Sequence, residues 1–339
     1  MERTRLGASG ISVSVLGLGT MMLGAYGNAD HDDAIRIIHA ALDAGINLVD
    51  TADVYSRGES EQIVGRALKG RRDDVILATK FGLPMGPDDS QRGGSRRWIT
   101  QAVHDSLRRL DTDYIDLYQM HRPDPNTDID ETLATLTDLV HAGTVRAIGS
   151  STFPAELIVE AQWTAQRGGH RPFATEQPRY SILTRTIEAA VLPTARRHGM
   201  GVITYGPLAS GWLSGRPNPA HGHRSSGPGA KDFDLAIPAN RAKLDAVEEL
   251  TALATDAGVP LPHLATVFPL AHPSVSSVLL GPRTMTQLEG LLGAAELTLS
   301  TEILDQIDAI VAPGDEINPD DNYYTNPALA DSRLRRRQP

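Results

Sequence analysis

A carboxylate, a phenol, an ammonium and an imidazole stand at or just after the ends of three successive apolar runs, and together they could pass a proton to or from an oxygen. The run around Ile46, Leu48 and Val49 reads as a short buried strand that ends on Asp50, and Tyr55 follows in the next loop. Val75–Lys80 is rich in β-forming residues and ends on Lys80, and Tyr114–His121 ends on His121. A free phenol with a pKa near ~10 is a poor proton donor at neutral pH. An ammonium within hydrogen-bond reach favours the phenolate and is expected to lower that value. Asp50 would pair with Lys80 and offset its buried charge. His121 would orient a carbonyl oxygen or share the proton with Tyr55. Each residue alone has a plain structural explanation: a turn cap for Asp50, a surface salt bridge for Lys80, a satisfied core group for His121. Their coincidence at consecutive strand ends favours chemistry. Lys80 as a Schiff-base amine is a further reading, and Asp50 argues against it by keeping the amine protonated.

The elements that must position these groups alternate along the chain. Residues 3–14 pattern as a short hairpin around Gly7 and Gly10, and Val13–Thr20 as a strand entering a loop. Helical periodicity is expected over Asp32–Ala44, Ser60–Leu68, Trp98–Leu110, Ile129–His141, Pro154–Gln166, Thr186–Arg197, Asn240–Ala257, Pro262–Ala271 and Thr284–Ala294. Further strands are expected at Val145–Gly149, Phe173–Gln177, Gly201–Tyr205 and Ser277–Gly281. Repeated strand–helix units over this length predict an α/β fold, a (β/α)8 TIM barrel in a single domain, with an N-terminal β-hairpin and long loops at the C-terminal mouth. The barrel is expected over residues 1–312 and a C-terminal tail over 313–339. That tail reads as solvated coil, or as a segment whose Asn322–Asn326 stretch folds over the mouth.

Composition excludes several classes. The net charge is −10 and cysteine is absent, so a nucleic-acid surface, disulfides and a thiol nucleophile are not expected. No apolar run approaches the ~18 residues of a membrane span, and Met1–Gly10 lacks a signal-peptide core. A cytoplasmic protein with no membrane partner is the expectation; the oligomeric state is unreadable. His221 and His223 in the long loop lack a carboxylate at ligand spacing, so no metal is expected.

The motifs resemble those of the aldo-keto reductases, in the branch that includes bacterial enzymes and potassium-channel β subunits. Asp50–Tyr55 is similar to the family's first signature, Ala78–Phe81 to its lysine motif, and Tyr118–Arg122 to its histidine motif. Ile129–Phe153 is similar to a further hallmark, and the resemblance runs from Leu6 to about Ala294. It implies an NADP-dependent carbonyl reductase without a metal. Hydride would pass from NADPH, or from NADH, to an aldehyde, ketone or sugar. Tyr55 would be the general acid, Asp50 and Lys80 would tune it, and His121 would position the substrate. The alternative that the same resemblance carries is a nucleotide-binding regulatory subunit of the channel-β type.

Gly17, Gly19 and Gly24 have the wrong spacing for a dinucleotide fingerprint, so a Rossmann reading fails. The resemblance instead implies cofactor contacts from Gly19, Thr20, Met21 and Asp50 beside the nicotinamide, from Ser151, Thr152 and Gln177 at its carboxamide, and from Tyr205 stacking on the ring. Gly206, Pro207, Leu208, Ser210, Gly211 and Leu213 would form the loop across the pyrophosphate, where backbone amides make an anion cradle. Gly281, Arg283 and Gln287 would hold the 2′-phosphate at a helix N-terminus. Two departures stand out. Thr152 replaces the family's usual amide, and Gly290-Leu291 replaces a Glu-Asn pair, which is expected to relax cofactor preference. The expected substrate wall is Met22, Tyr55, Phe81, His121, Arg122 and Tyr324.

Overall fold

The computed structural model describes residues 1–216, 227–322, 324, 326, 329 and 331–337, with side chains excepted at 227–229. His221 and His223 lie outside the described residues. A hairpin of β1 (Arg3–Arg5) and β2 (Ser12–Ser14) precedes a closed parallel barrel. The barrel strands are β3 (Leu16–Gly19), β4 (Leu48–Asp50), β5 (Ile76–Phe81), β6 (Ile115–Met120), β7 (Val145–Ser151), β8 (Thr175–Gln177), β9 (Gly201–Tyr205) and β10 (Val275–Leu280), and β10 closes on β3.

Strand period decides what the barrel holds. Alternate residues face inward, and Leu48, Ala78, Leu117, Ile203 and Leu279 form one apolar cluster with Leu6 and Val13 of the hairpin. The hairpin therefore plugs the end away from the mouth. It fits closely there: a Cβ on Gly7, whose φ is +56°, would lie 2.2 Å from the Gly201 amide. Two residues further along each strand the inward layer turns polar, with Asp50, Lys80, Gln119, Gln177 and Tyr205 in succession. Residues of the opposite parity meet the helices, and Phe81 and Tyr118 stack there at 4.7 Å between ring centroids.

The helices are α1 (His31–Asp43), α2 (Glu59–Leu68), α3 (Arg96–Leu110), α4 (Ile129–His141), α5 (Ala155–Gly168), α6 (Val191–Arg197), α7 (Pro238–Asp256), α8 (Leu261–Val267), α9 (Met285–Leu292) and α10 (Thr301–Ile310). Their starts are set by short polar caps. Asp30 accepts from the amides of Asp32 and Asp33 before α1, and Ser95 and Asp128 cap α3 and α4. The expected helix over Thr186–Arg197 divides into a short turn at Thr186–Glu188 and α6, with Pro193 in the first turn of the helix proper. Pro154 precedes α5 as its cap rather than sitting inside it.

The segment after α10 is not solvated coil through residue 321. The Arg185 amide donates to the Asp315 carbonyl, the Ile317 amide donates to the Leu183 carbonyl, and Asn318 donates to Asn240 on α7. Asp321 pairs with Lys243, which is fully buried, and its carbonyl accepts from Arg179 at 2.6 Å. Among the described residues, no helix is long and apolar enough to cross a membrane.

Candidate active site

The polar inward layer converges on one buried charge pair. Lys80 and Asp50 are 1% and 2% exposed, and the ammonium donates to Asp50 Oδ1, to the Thr51 carbonyl at 2.9 Å and to the Tyr55 hydroxyl at 3.3 Å. Asp50 Oδ2 accepts from Gln177 at 2.8 Å and from Gln119 at 3.1 Å. Both carboxylate oxygens thus meet donors, which is what a buried ion pair requires. His121 stands edge-on to Tyr55 with ring centroids 5.7 Å apart.

The loop that carries Tyr55 turns sharply. Ser56 and Arg57 take φ of 48° and 55°, in the left-handed region that costs an L-residue about 1–2 kcal/mol. The turn is held by the Ser56 hydroxyl, which accepts from the Tyr26 amide, and by Glu59, which accepts from the Ala25 amide.

Electrostatics set the protonation of each group. Burial raises the Tyr55 phenol above its ordinary value, and the Lys80 ammonium pulls the other way without overcoming it. The expectation of a net lowering is therefore corrected: the dry site penalises the phenolate more than one ammonium, itself neutralised by Asp50, can offset. Lys80 loses stability of its charge by burial, but Asp50 and Tyr55 outweigh this and hold it above the ordinary lysine range. Burial, Lys80 and Arg122 together push His121 well below the usual imidazole value, so it is neutral.

A cavity of about 780 Å³ opens above this layer. Of the residues anticipated from sequence, it is lined by Gly19, Met21, Met22, Asp50, Tyr55, His121, Arg122, Ser151, Gln177, Tyr205, Gly206, Pro207, Leu208, Ser210, Gly211, Gly281, Arg283 and Gln287. Six do not line it. Lys80 lies beneath the floor, 1% exposed, and reaches the cavity only through Asp50 and Tyr55. Phe81 is fully buried against Tyr118, because Lys80 points in and its neighbour must point out. Thr20 is spent beneath the loop, bonded to Ser60 and to the Asp50 carbonyl. Thr152, at φ 59°, lies behind Tyr205, with its hydroxyl 3.3 Å from the phenol oxygen. Leu213 is fully buried in the core. Tyr324 is half-buried outside the cavity wall, near enough to Glu156 for that carboxylate to add to the burial that raises its phenol.

Several lining residues went unanticipated: Tyr26, Val54, Leu83, Arg179 and Phe233 among them. Gln119 does not line the cavity but completes the shell of Asp50. Its signal was available, since it is two residues before His121 on the same strand face.

The profile described as the aldo/keto reductase family matches residues 15–312. The chain belongs to the aldo/keto reductase family. It is 39% identical over 316 residues to aldo-keto reductase YhdN of Bacillus subtilis, covering 92% of this chain and 94% of that one. It is 39% identical over 329 residues to the uncharacterised oxidoreductase YrpG of the same organism, covering 93% and 98%. A probable voltage-gated potassium channel subunit beta of rice is 34% identical over 328 residues, covering 92% and 97%. Family membership makes an oxidoreductase the class of activity that fits this site.

The cavity also fits the family's anionic nucleotide. Arg179, Arg216 and Arg283 line it, whereas among the described residues the only lining carboxylate, Asp50, is already engaged by Lys80. The backbone of Ala209, Ser210 and Gly211 runs at positive φ beside it, with the Ala209 and Gly211 amides spent inside the turn on the Gly206 and Leu208 carbonyls.

Proposed function

We propose that this protein is an NADP-dependent aldehyde or ketone reductase in which Tyr55 donates the proton. One observation carries the reading: Lys80 Nζ bridges Asp50 and the Tyr55 hydroxyl at the floor of a cavity that His121 also lines. NADPH, held by the arginine-lined part of the cavity, would supply hydride to the carbonyl carbon, while the carbonyl oxygen takes the Tyr55 proton to give the alcohol.

Burial keeps Tyr55 protonated at neutral pH, as a donor must be. Lys80 then acts when the proton leaves, because its charge stabilises the phenolate that remains. Asp50 keeps the ammonium charged and fixed. His121, being neutral, can donate a hydrogen bond to the carbonyl oxygen without competing as an acid. Gly281, Arg283 and Gln287 would hold the nucleotide's phosphate end, and Arg283 is the contact that favours NADPH over NADH. Tyr205 would stack on the ring, with Thr152 holding its hydroxyl.

The test is Tyr55→Phe, assayed by NADPH oxidation over aldehydes, ketones and aldoses, with nucleotide binding followed separately by fluorescence. Loss of the proton donor should lower turnover about 10²–10⁴-fold and leave binding intact. A Phe variant with near-normal turnover refutes the assignment. The likeness to channel β subunits supports a second reading, a nucleotide-binding regulatory subunit. A wild-type chain that binds NADPH tightly and reduces no carbonyl favours it.

A further inference from the structure

We propose that Arg122 selects carbonyl substrates that carry an oxyanion, a carboxylate or phosphate, within a few carbon atoms of the reacting carbonyl. This rests on the reductase reading and names the substrate class for that site. Arg122 directly follows His121 at the end of β6 and lines the same cavity as Tyr55. Its guanidinium donates to the His121 carbonyl at 2.6 Å, which anchors it beside the reacting position. Among the described residues it has no carboxylate within ion-pair distance. Of the other guanidiniums of the cavity, Arg216 and Arg283 belong to the segments that carry Ser214 and Gln287, and Arg179 meets Asp321 and the Ser210 hydroxyl.

The neighbouring acids do not pair with it directly. Glu176, packed behind the strand end, feels the Arg122 charge from a distance but spends its oxygens on the Ser150 hydroxyl and the Phe153 amide. Asp124 accepts from the Gly94 and Asn126 amides and from Thr127. Asp50 is neutralised by Lys80, Gln119 and Gln177. Met22, Val54 and Leu83 add apolar surface to the same cavity. A substrate anion at Arg122 meets a guanidinium that holds no carboxylate, where a charge-assisted, bidentate contact is strong.

The experiment compares matched pairs: 4-oxobutanoate with butanal, and glycolaldehyde phosphate with glycolaldehyde, in the wild type, Arg122→Met and Arg122→Lys. The wild type should prefer the charged member of at least one pair. Arg122→Met should cut the charged-to-neutral ratio of kcat/KM by about tenfold to a hundredfold, mostly through KM, and Arg122→Lys should restore part of it. A response confined to one pair identifies the anion as carboxylate or phosphate. A ratio that Arg122→Met leaves unchanged, or a wild-type preference for both neutral members, overturns the proposal. If nothing is reduced, the reductase reading fails separately, and titration of the NADP-loaded protein with 4-hydroxybutanoate and with butanol decides the anion site: binding of the acid that Arg122→Met abolishes supports it, and equal binding by both proteins overturns it.

Discussion

Glu176 is a fully buried carboxyl on β8 that the proposed chemistry does not use, and its charge state is open to direct measurement. Burial raises it from 4.5 to about 7, against the opposing hydrogen bonds of Ser150 and Phe153. The sign follows from which state holds the proton more tightly. Between 4.5 and about 7 the folded chain keeps it and the unfolded chain has lost it, so stability falls as pH rises through this window. Linkage over that interval gives a loss of about 2.5 kcal/mol between pH 5 and pH 8. Glu176→Gln keeps the shape, cannot ionise, and gives up one acceptor, so its absolute stability can lie on either side of the wild type. The difference between the two proteins isolates the titration. Urea unfolding at several pH values should show it moving in favour of the glutamine variant by about 2–3 kcal/mol from pH 5 to pH 8. Parallel stability curves would refute the reasoning. A drift in the opposite direction would mean that Glu176 is held ionised throughout this range, so that Arg122 has a charged neighbour at every pH tested.

Two other outcomes follow from the same charges. Because Tyr55 is raised by burial and His121 is pushed well below its usual range, kcat/KM for carbonyl reduction should be flat from about pH 6 to 9 and fall only as the phenol ionises, above ~10; a pH profile with an acid limb near 6.5 would show that His121 titrates normally. Asp321→Ala should destabilise the fold by about 3–5 kcal/mol, measured by urea unfolding, because it strands the buried Lys243 and weakens the hold on Arg179; a loss under about 1 kcal/mol, the value of an exposed pair, would show that the segment is not anchored there.

Strand period made the centre of this site readable and also shows where the reading stopped short. Asp50, Lys80 and His121 stand within one residue of the ends of strands whose apolar runs are plain in the chain, and two-residue alternation carries each of them inward. The same alternation excludes Phe81, one residue after Lys80, and includes Gln119, two before His121. The resemblance to a family motif drew attention to the motif as a block, and a block hides which of its residues face the helices. Helix α10 was equally available in Ile303, Leu304, Ile307 and Ile310 behind the Ser300 cap.

Other features depend on contacts that no local pattern carries. Asp321 meets Lys243 and Arg179 across 78 and 142 residues of chain, so the Pro/Asp/Asn composition that suggested solvated coil said nothing of its buried partners. The acidity of Tyr55 belongs to the same class. The sequence supplies the ammonium that favours the phenolate, but the opposing penalty comes from closure of the barrel around the phenol, and burial is a property of the whole fold. That balance also suits the reaction proposed. A phenol that Lys80 made strongly acidic would have lost its proton before a carbonyl arrived. One kept protonated by its dry surroundings, with an ammonium 3.3 Å away to receive the negative charge, gives the proton up only when an oxygen is there to take it.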